Sequence, residues 1–354
     1  MTPLRDGRQI DPEVGTLLGE AAGQIAKTVE AAKTPFEVWK ENPALLQRTE
    51  TQPTYYARPL IKAPVWIWSV PAYFYVGGAA GASLALGAAT QLLDGSSQEL
   101  VRRCRWTGLA GTTIGSGLLI YDLGRSSRFF NMLRVFRPTS PMNVGSWLLA
   151  ATGSLSAASV LNVPGMERFN NAAAIAAGLC GIPLSGYTGV LLANTAVPLW
   201  KEASRTLPVL FVASGMASAG ALFHLMTLSP QEEAVTRRFA IVGQAAELVA
   251  MSAVEAQISR IESVGKPLRR GVSGFLWKSA RILGAASLVL SVFSGKSHRA
   301  KRAAGACGTA AALALRFSLL QAGRNSARDP VASFDQQRLA GSKPGAATSL
   351  NSAA

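Results

Sequence analysis

The chain has 354 residues, 49% of them hydrophobic, with a mean hydropathy of +0.22 and a net charge of +15. That combination excludes an ordinary soluble domain, because the apolar residues gather into long uncharged runs and the charges into the stretches between them. The basic excess is therefore a topological signal and not a nucleic-acid-binding surface.

Taken in chain order, residues 1–62 form a polar N-terminal arm. Asp11 and Pro12 read as an N-cap and first helical position, and Val14, Leu18, Ala21, Ile25 and Val29 recur at helical spacing up to Pro35. This amphipathic helix either lies on a membrane surface or docks a partner. The arm has no apolar stretch ahead of a small-residue cleavage site, so no cleavable signal peptide is expected, and insertion starts at the first span.

Uncharged runs then extend from Ala63 to Leu93, Pro138 to Met166, Phe169 to Trp200 and Thr206 to Gln231. Each exceeds the roughly 20 residues with which an α-helix crosses a ~30 Å hydrocarbon core. Four further spans carry isolated polar residues. They are 106–124 with Asp122, 239–259 with Glu247 and Glu255, 271–295 with Lys278 and Arg281, and 303–323 with Arg316. The last two have short uncharged cores and rely on basic residues snorkelling toward the headgroups. The expected fold is all-α and integral to the membrane, with eight transmembrane helices. The Ser/Ala/Gly-rich tail, residues 326–354, is expected to be disordered.

Local signals refine this picture. Gly77 and Gly81 in the first span, and Gly111 and Gly115 in the second, offer small faces for close helix approach. Ser140 and Pro141 open the third span as N-cap and first-turn proline, and Trp147 and Trp200 are placed like interfacial anchors. Lys and Arg on the N-terminal flank, in loops 2–3, 4–5 and 6–7 and in the tail outnumber those of the opposite loops, which predicts cytoplasmic termini.

The chemistry is narrowed first by exclusion. Only two histidines exist, His224 in the fifth span and His298 in a basic loop, so two facing imidazoles for a bis-His haem are not available. Cys104, Cys180 and Cys307 are single and widely spaced, without the clustering that iron–sulfur or zinc ligation needs. No haem or metal is expected in this chain.

What remains are intramembrane ionisable groups, costly enough to suggest function. Asp122 ends the second span with Arg125 three residues on, where the two can meet on one helical face. The plainer alternative is an interfacial ion pair that only ends the helix. Glu247 and Glu255, eight residues apart, fall on roughly one side of the sixth span at different depths, as a proton path requires. Neutralisation of each by a neighbouring helix explains them equally well. Arg316 and His224 read as structural.

Three stretches carry a family resemblance: "VPAYFYVGGAAGAS" (70–83), "DLGRSSRFFNMLRVFRPTSPMNVGSW" (122–147) and "SGYTGVLLANTAVPLW" (185–200). With the expected eight spans, they resemble the NrfD/PsrC family, the membrane subunits of polysulphide-reductase-like complexes, over residues 60–325. The resemblance implies two four-helix bundles, 63–200 and 201–325, with a quinone pocket in the first. It implies a menaquinone or ubiquinone ligand, a partner iron–sulfur subunit, a catalytic oxidoreductase subunit of molybdopterin type, and residence in a bacterial inner membrane.

By the same resemblance, Tyr187 hydrogen-bonds a quinone carbonyl, although tyrosines also serve as packing or interfacial residues. Asp122 and Arg128 line the same headgroup site, where Asp122 exchanges protons with the quinone and Arg125 holds its charge in register; the proton path expected from spacing is Glu247 and Glu255. The family often meets its partner at the outer membrane surface, whereas the charge count here puts that side in the cytoplasm. A proton or ion transporter using the same carboxylates is the competing expectation.

Overall fold

The computed structural model describes residues 61–93, 97–124, 127–161, 165–295 and 297–341. The amphipathic helix expected before Pro35, and Arg125 of the expected Asp122–Arg125 pair, lie outside them. The described residues form helices and no strands. In order, these are α1 (Ser69–Leu93), α2 (Gln98–Asp122), α3 (Ser127–Arg134), α4 (Pro141–Val160), α5 (Glu167–Ala193) and α6 (Pro198–Glu202). There follow α7 (Leu207–Leu225), α8 (Pro230–Ile258), α9 (Glu262–Arg269), α10 (Gly271–Phe293), α11 (His298–Arg328) and α12 (Pro330–Gly341).

Six of these, α1, α5, α7, α8, α10 and α11, are long and apolar enough to cross a membrane. The other two long helices, α2 and α4, have no stretch that apolar over a membrane's depth. α2 opens with Gln98, Glu99, Arg102, Arg103 and Arg105, and α4 is diluted by serine, glycine and alanine.

Helix ends follow from local chemistry. The helix in the uncharged run that starts at Thr206 does not continue to Gln231, because Ser229 caps a new helix. Its hydroxyl accepts from the Glu232 N–H while the Glu232 carboxylate accepts from the Ser229 N–H, with Pro230 in the first turn. α7 therefore stops at Leu225 and α8 begins well before the expected sixth span. The run from Phe169 to Trp200 is likewise divided at Val197 and Pro198, where α6 starts. As expected, Ser140 caps α4, accepting from the Asn143 N–H. At the C-terminal end, α12 continues in helical form through much of the stretch that composition marks as disordered.

α1 packs on α2 and α5, and α4 packs on α2 and α5. α7 packs on α8 and α11, and α10 packs on α8 and α11. α7 also lies against α1 and α5, and α11 against α1, which joins the two sets. α1 and α5 approach closely, and a Cβ on Gly81 would overlap the Gly181 carbonyl of α5. In α2, a Cβ on Gly111 would lie 2.6 Å from the Ala80 side chain of α1. Small residues at these crossings let backbones touch, which gains dispersion energy that apolar bulk alone does not supply among apolar surroundings.

The long helices alternate in direction, so α1, α4, α7 and α10 begin where α2, α5, α8 and α11 end. That end carries a strap, residues 61–68, together with α3, α6, α9 and α12. The other will be called the far end.

Candidate functional site

At the strap end, the last residue of α2 is the organising group. Asp122 is 4% exposed, and its Oδ1 accepts from the Ile67 N–H at 3.1 Å and from the Ser69 hydroxyl at 3.4 Å. A buried carboxylate with charge-assisted bonds to the strap and the first residue of α1 satisfies donors that the helix start leaves open. From the other side, Arg324 of α11 donates to the carbonyls of Pro64, at 3.1 Å, and Trp66. Trp66 in turn stacks on Trp200 of α6, with ring centroids 5.8 Å apart and planes 14° apart. Trp200 is fully buried, and its indole N–H donates to the Leu319 carbonyl at 3.0 Å. The strap is thus held between α2 and α11.

Arg128, in α3, donates to the Leu123 carbonyl at 3.4 Å, which closes α3 against the end of α2. Asn143 of α4 holds the following loop by donating to the carbonyls of Met132 and Val135 and accepting from the Arg137 N–H. Tyr187 lies one helix further along, in α5. Its hydroxyl donates to the Pro141 carbonyl at 2.5 Å, and its ring lies where a side chain at position 145 would otherwise be, so Gly145 makes the room. At the next position of α5, the Thr188 hydroxyl is buried without a hydrogen-bond partner among the described residues. Asp122, Arg128 and Tyr187 therefore share one end of the helices, as the sequence suggested. The donor of Tyr187 is already engaged, however, and Asp122 is committed to the strap.

A second polar group lies midway along the helices. Glu247 of α8 and Arg316 of α11 lie about 26 Å and 27 Å from the far end at ~1.5 Å per residue, at matching depth. Arg316 is 1% exposed, and its Nη1 donates to the Ser214 hydroxyl of α7 at 2.6 Å and to the Ala312 carbonyl at 3.0 Å. The guanidinium lies 5.7 Å from the Tyr75 ring centroid and 5.8 Å from that of Phe211. Ser214 also faces the Glu247 carboxylate, so one hydroxyl stands between an acid and a base in an apolar interior. One turn earlier on α8, Gln244 donates to the Ser287 hydroxyl of α10 at 2.7 Å.

Glu255 is not part of this group. Eight residues advance a helix about 12 Å and rotate it by about 80°, and Glu255 pairs with Arg281 of α10 at 2.5 Å on a partly exposed edge. The two glutamates therefore face different neighbours. From the sequence Arg316 reads as structural, and only its position in α11 opposite Ser214 and Glu247 reveals the cluster. A charge in the middle of a long apolar helix was the available signal.

At the far end, Arg102 hydrogen-bonds Glu99 and holds that carboxyl below its usual range. Among the described residues, no three His, Cys, Asp or Glu side chains converge as a metal site would need.

The protein family described as polysulphide reductase, NrfD, matches residues 59–327 of the chain, from the strap to the last turn of α11. No curated protein matches it.

Proposed function

We propose the function of this chain from the premise that it belongs to the polysulphide reductase NrfD family, whose members are membrane subunits of quinone-interacting oxidoreductase complexes. The chain is the quinone-reactive subunit of such a complex in a bacterial inner membrane. It exchanges electrons between a menaquinone or ubiquinone and a partner iron–sulfur subunit, with proton uptake or release, beside a catalytic subunit of molybdopterin type. It spans the membrane eight times, α2 and α4 included, as two groups of four helices, with both termini in the cytoplasm.

The observation that carries this reading is the gathering of Asp122, Arg128 and Tyr187 at one end of the first helix group. Asp122 and Tyr187 are buried there, and Thr188, which follows Tyr187 in α5, has a buried hydroxyl without a hydrogen-bond partner among the described residues. These residues fit a quinone headgroup, since two hydroxyl donors and a carboxylate suit carbonyl oxygens that gain and lose protons. A bound quinone supplies the two-electron redox chemistry. Thr188 offers a donor without rearrangement, and Tyr187 offers one by turning from Pro141. Arg128 and the arginine-rich loop cover the end of the site, and Asp122 holds or releases a proton beside the strap.

The test is quinone-dependent electron transfer by the purified complex, compared with an artificial acceptor that bypasses this subunit. Asp122→Asn and Tyr187→Phe are expected to lower only the first activity, Tyr187→Phe by the equivalent of roughly 0.5–1.5 kcal/mol of lost hydrogen bonding. Wild-type quinone turnover in both variants would place the site elsewhere.

A second reading, ion translocation through the interior, is favoured by the Glu247, Ser214 and Arg316 group and by a Glu247 Oε1 that is buried without a hydrogen-bond partner. Proton flux in liposomes containing this chain alone would support it. Flux that requires quinone turnover and is lost in Glu247→Gln would instead make the cluster part of the oxidoreductase.

A further inference from the structure

At the far end, away from every group discussed for quinone chemistry, a cavity opens between the last turn of α7 and the first turns of α8 and α11. His224, Glu233, His298, Lys301 and Arg302 contribute to its wall. It holds about 30 Å³ of free space, more than a single water needs. His224 is 6% exposed, and its ring Nδ1 is buried without a hydrogen-bond partner among the described residues. Glu233, Lys301 and Arg237 are the charged groups that face this imidazole. Lys301 and Glu233 pair at 2.5 Å and balance each other. The His298 and Arg302 side chains in the wall, and that of Arg237 outside it, make no hydrogen bond or ion pair among the described residues, so the wall is left with the uncompensated charge of Arg302.

The placement of these cations is unfavourable by itself. α11 is 31 residues long and has no acidic residue in its first turn, where the dipole and the N–H groups not capped by Ser297 favour negative charge. The sequence puts Arg299, Lys301 and Arg302 there instead, next to His298. α8 begins at the same end of the molecule in the opposite way, with Glu232 and Glu233 in its first turn and a closed capping box. One helix start is neutralised by its own carboxylates. The other has only the Ser297 hydroxyl, which accepts from the Ala300 N–H at 3.4 Å, and collects cations around its remaining N–H groups and an unpartnered imidazole. Both features are resolved by an external anion.

We infer that the cavity bounded by α7, α8 and α11 binds a phosphate group, with one or two of its oxygens reaching the His224 ring and the α11 N-terminus and the remainder held by Arg302 and His298 at the surface. The site lies where three long helices end, the level at which phospholipid phosphates sit, and basic pockets between transmembrane helices select anionic headgroups. A free phosphate ion presents the same oxygens, so the test separates the two sources.

The full chain, purified with the subunits that accompany it, is titrated with phosphatidylglycerol and followed by native mass spectrometry. A parallel titration is made in inorganic phosphate at matched ionic strength. The expected result is one saturable phosphatidylglycerol per chain, with affinity about fivefold lower in Arg302→Gln and lower again in the His298→Gln/Arg302→Gln pair. Both side chains are exposed and make no contacts that folding depends on, and Arg302→Gln alone suffices if the pair assembles poorly. A control that removes two exposed cations from the strap end, Lys201→Gln/Arg205→Gln, should keep wild-type affinity. If inorganic phosphate displaces the lipid from wild type but not from the variant, the site stands with a free ion as its occupant. Equal lipid affinity in wild type and variant, or an equal loss in the control, overturns the proposal.

Discussion

Arg316 shows at the residue scale what burial demands of a charge. It is enclosed by α1, α7 and α11, and its Nε and Nη2 atoms have no hydrogen-bond partner among the described residues. Its compensation comes from the faces of Tyr75 and Phe211 and from Glu247 across Ser214. Removing one member of a buried charge pair leaves the other uncompensated. Arg316→Met and Glu247→Leu are each expected to lose about 3–5 kcal/mol, and the double variant to recover much of that. Thermal unfolding of the four forms in one detergent measures the coupling, and simple additivity would show that the groups act independently. Gly145 makes a second residue-scale case. A methyl group there would overlap the Tyr187 ring, so Gly145→Ala should displace Tyr187 from Pro141 and reduce quinone-dependent turnover. Gly117→Ala in α2, with nothing within 4 Å of the added carbon, should leave turnover unchanged.

Among the elements, the strap and the end of α11 are the most interdependent. Trp200 lies against Gly323, where any side chain would overlap the indole, while Ser326 accepts from the Leu199 N–H at 3.1 Å. Gly323→Ala is expected to lower stability by about 1–3 kcal/mol through overpacking, and near-ultraviolet circular dichroism should report the disturbed Trp66–Trp200 stack. An unchanged signal and midpoint would mean that α6 yields at no cost. The start of α8 depends on a smaller device. Ser229→Ala should cost about 1 kcal/mol by opening the capping box, read as a lower unfolding midpoint.

For the whole molecule, the decisive quantity is which ends of the helices face which side of the membrane. α12 belongs with the strap end, since Asp335 accepts from the Ser263 hydroxyl at 2.7 Å and Gln336 donates to the Pro198 carbonyl at 3.0 Å. Single cysteines at Arg134 and Gln337, in a chain freed of its own three cysteines, should therefore react from one side, and a cysteine at Thr227 from the other. The charge distribution predicts that Arg134 and Gln337 face the cytoplasm. Labelling of both from outside intact cells would reverse the topology while leaving the quinone reading in place.

The sequence by itself determined that this is a helical membrane protein, because backbone polar groups in hydrocarbon must bond within their own segment and long uncharged runs leave no other choice. It also carried the family, through the loop that begins at Asp122 and the segment around Tyr187, and the match over residues 59–327 agrees. Helix ends were legible only in part. The Ser229 to Glu232 signal was present in the letters, yet an unbroken lack of charge outweighed it. Tertiary structure alone decided which polar residues meet. Asp122 and Ile67 are 55 positions apart, Ser214 and Arg316 are 102 apart, and Arg324 and Pro64 are 260 apart. Their contacts depend on how α1, α7 and α11 pack side by side. Periodicity along one helix says which way a side chain points and nothing about what stands opposite, which is why Glu247 and Glu255 looked alike in the sequence and have different partners in the fold.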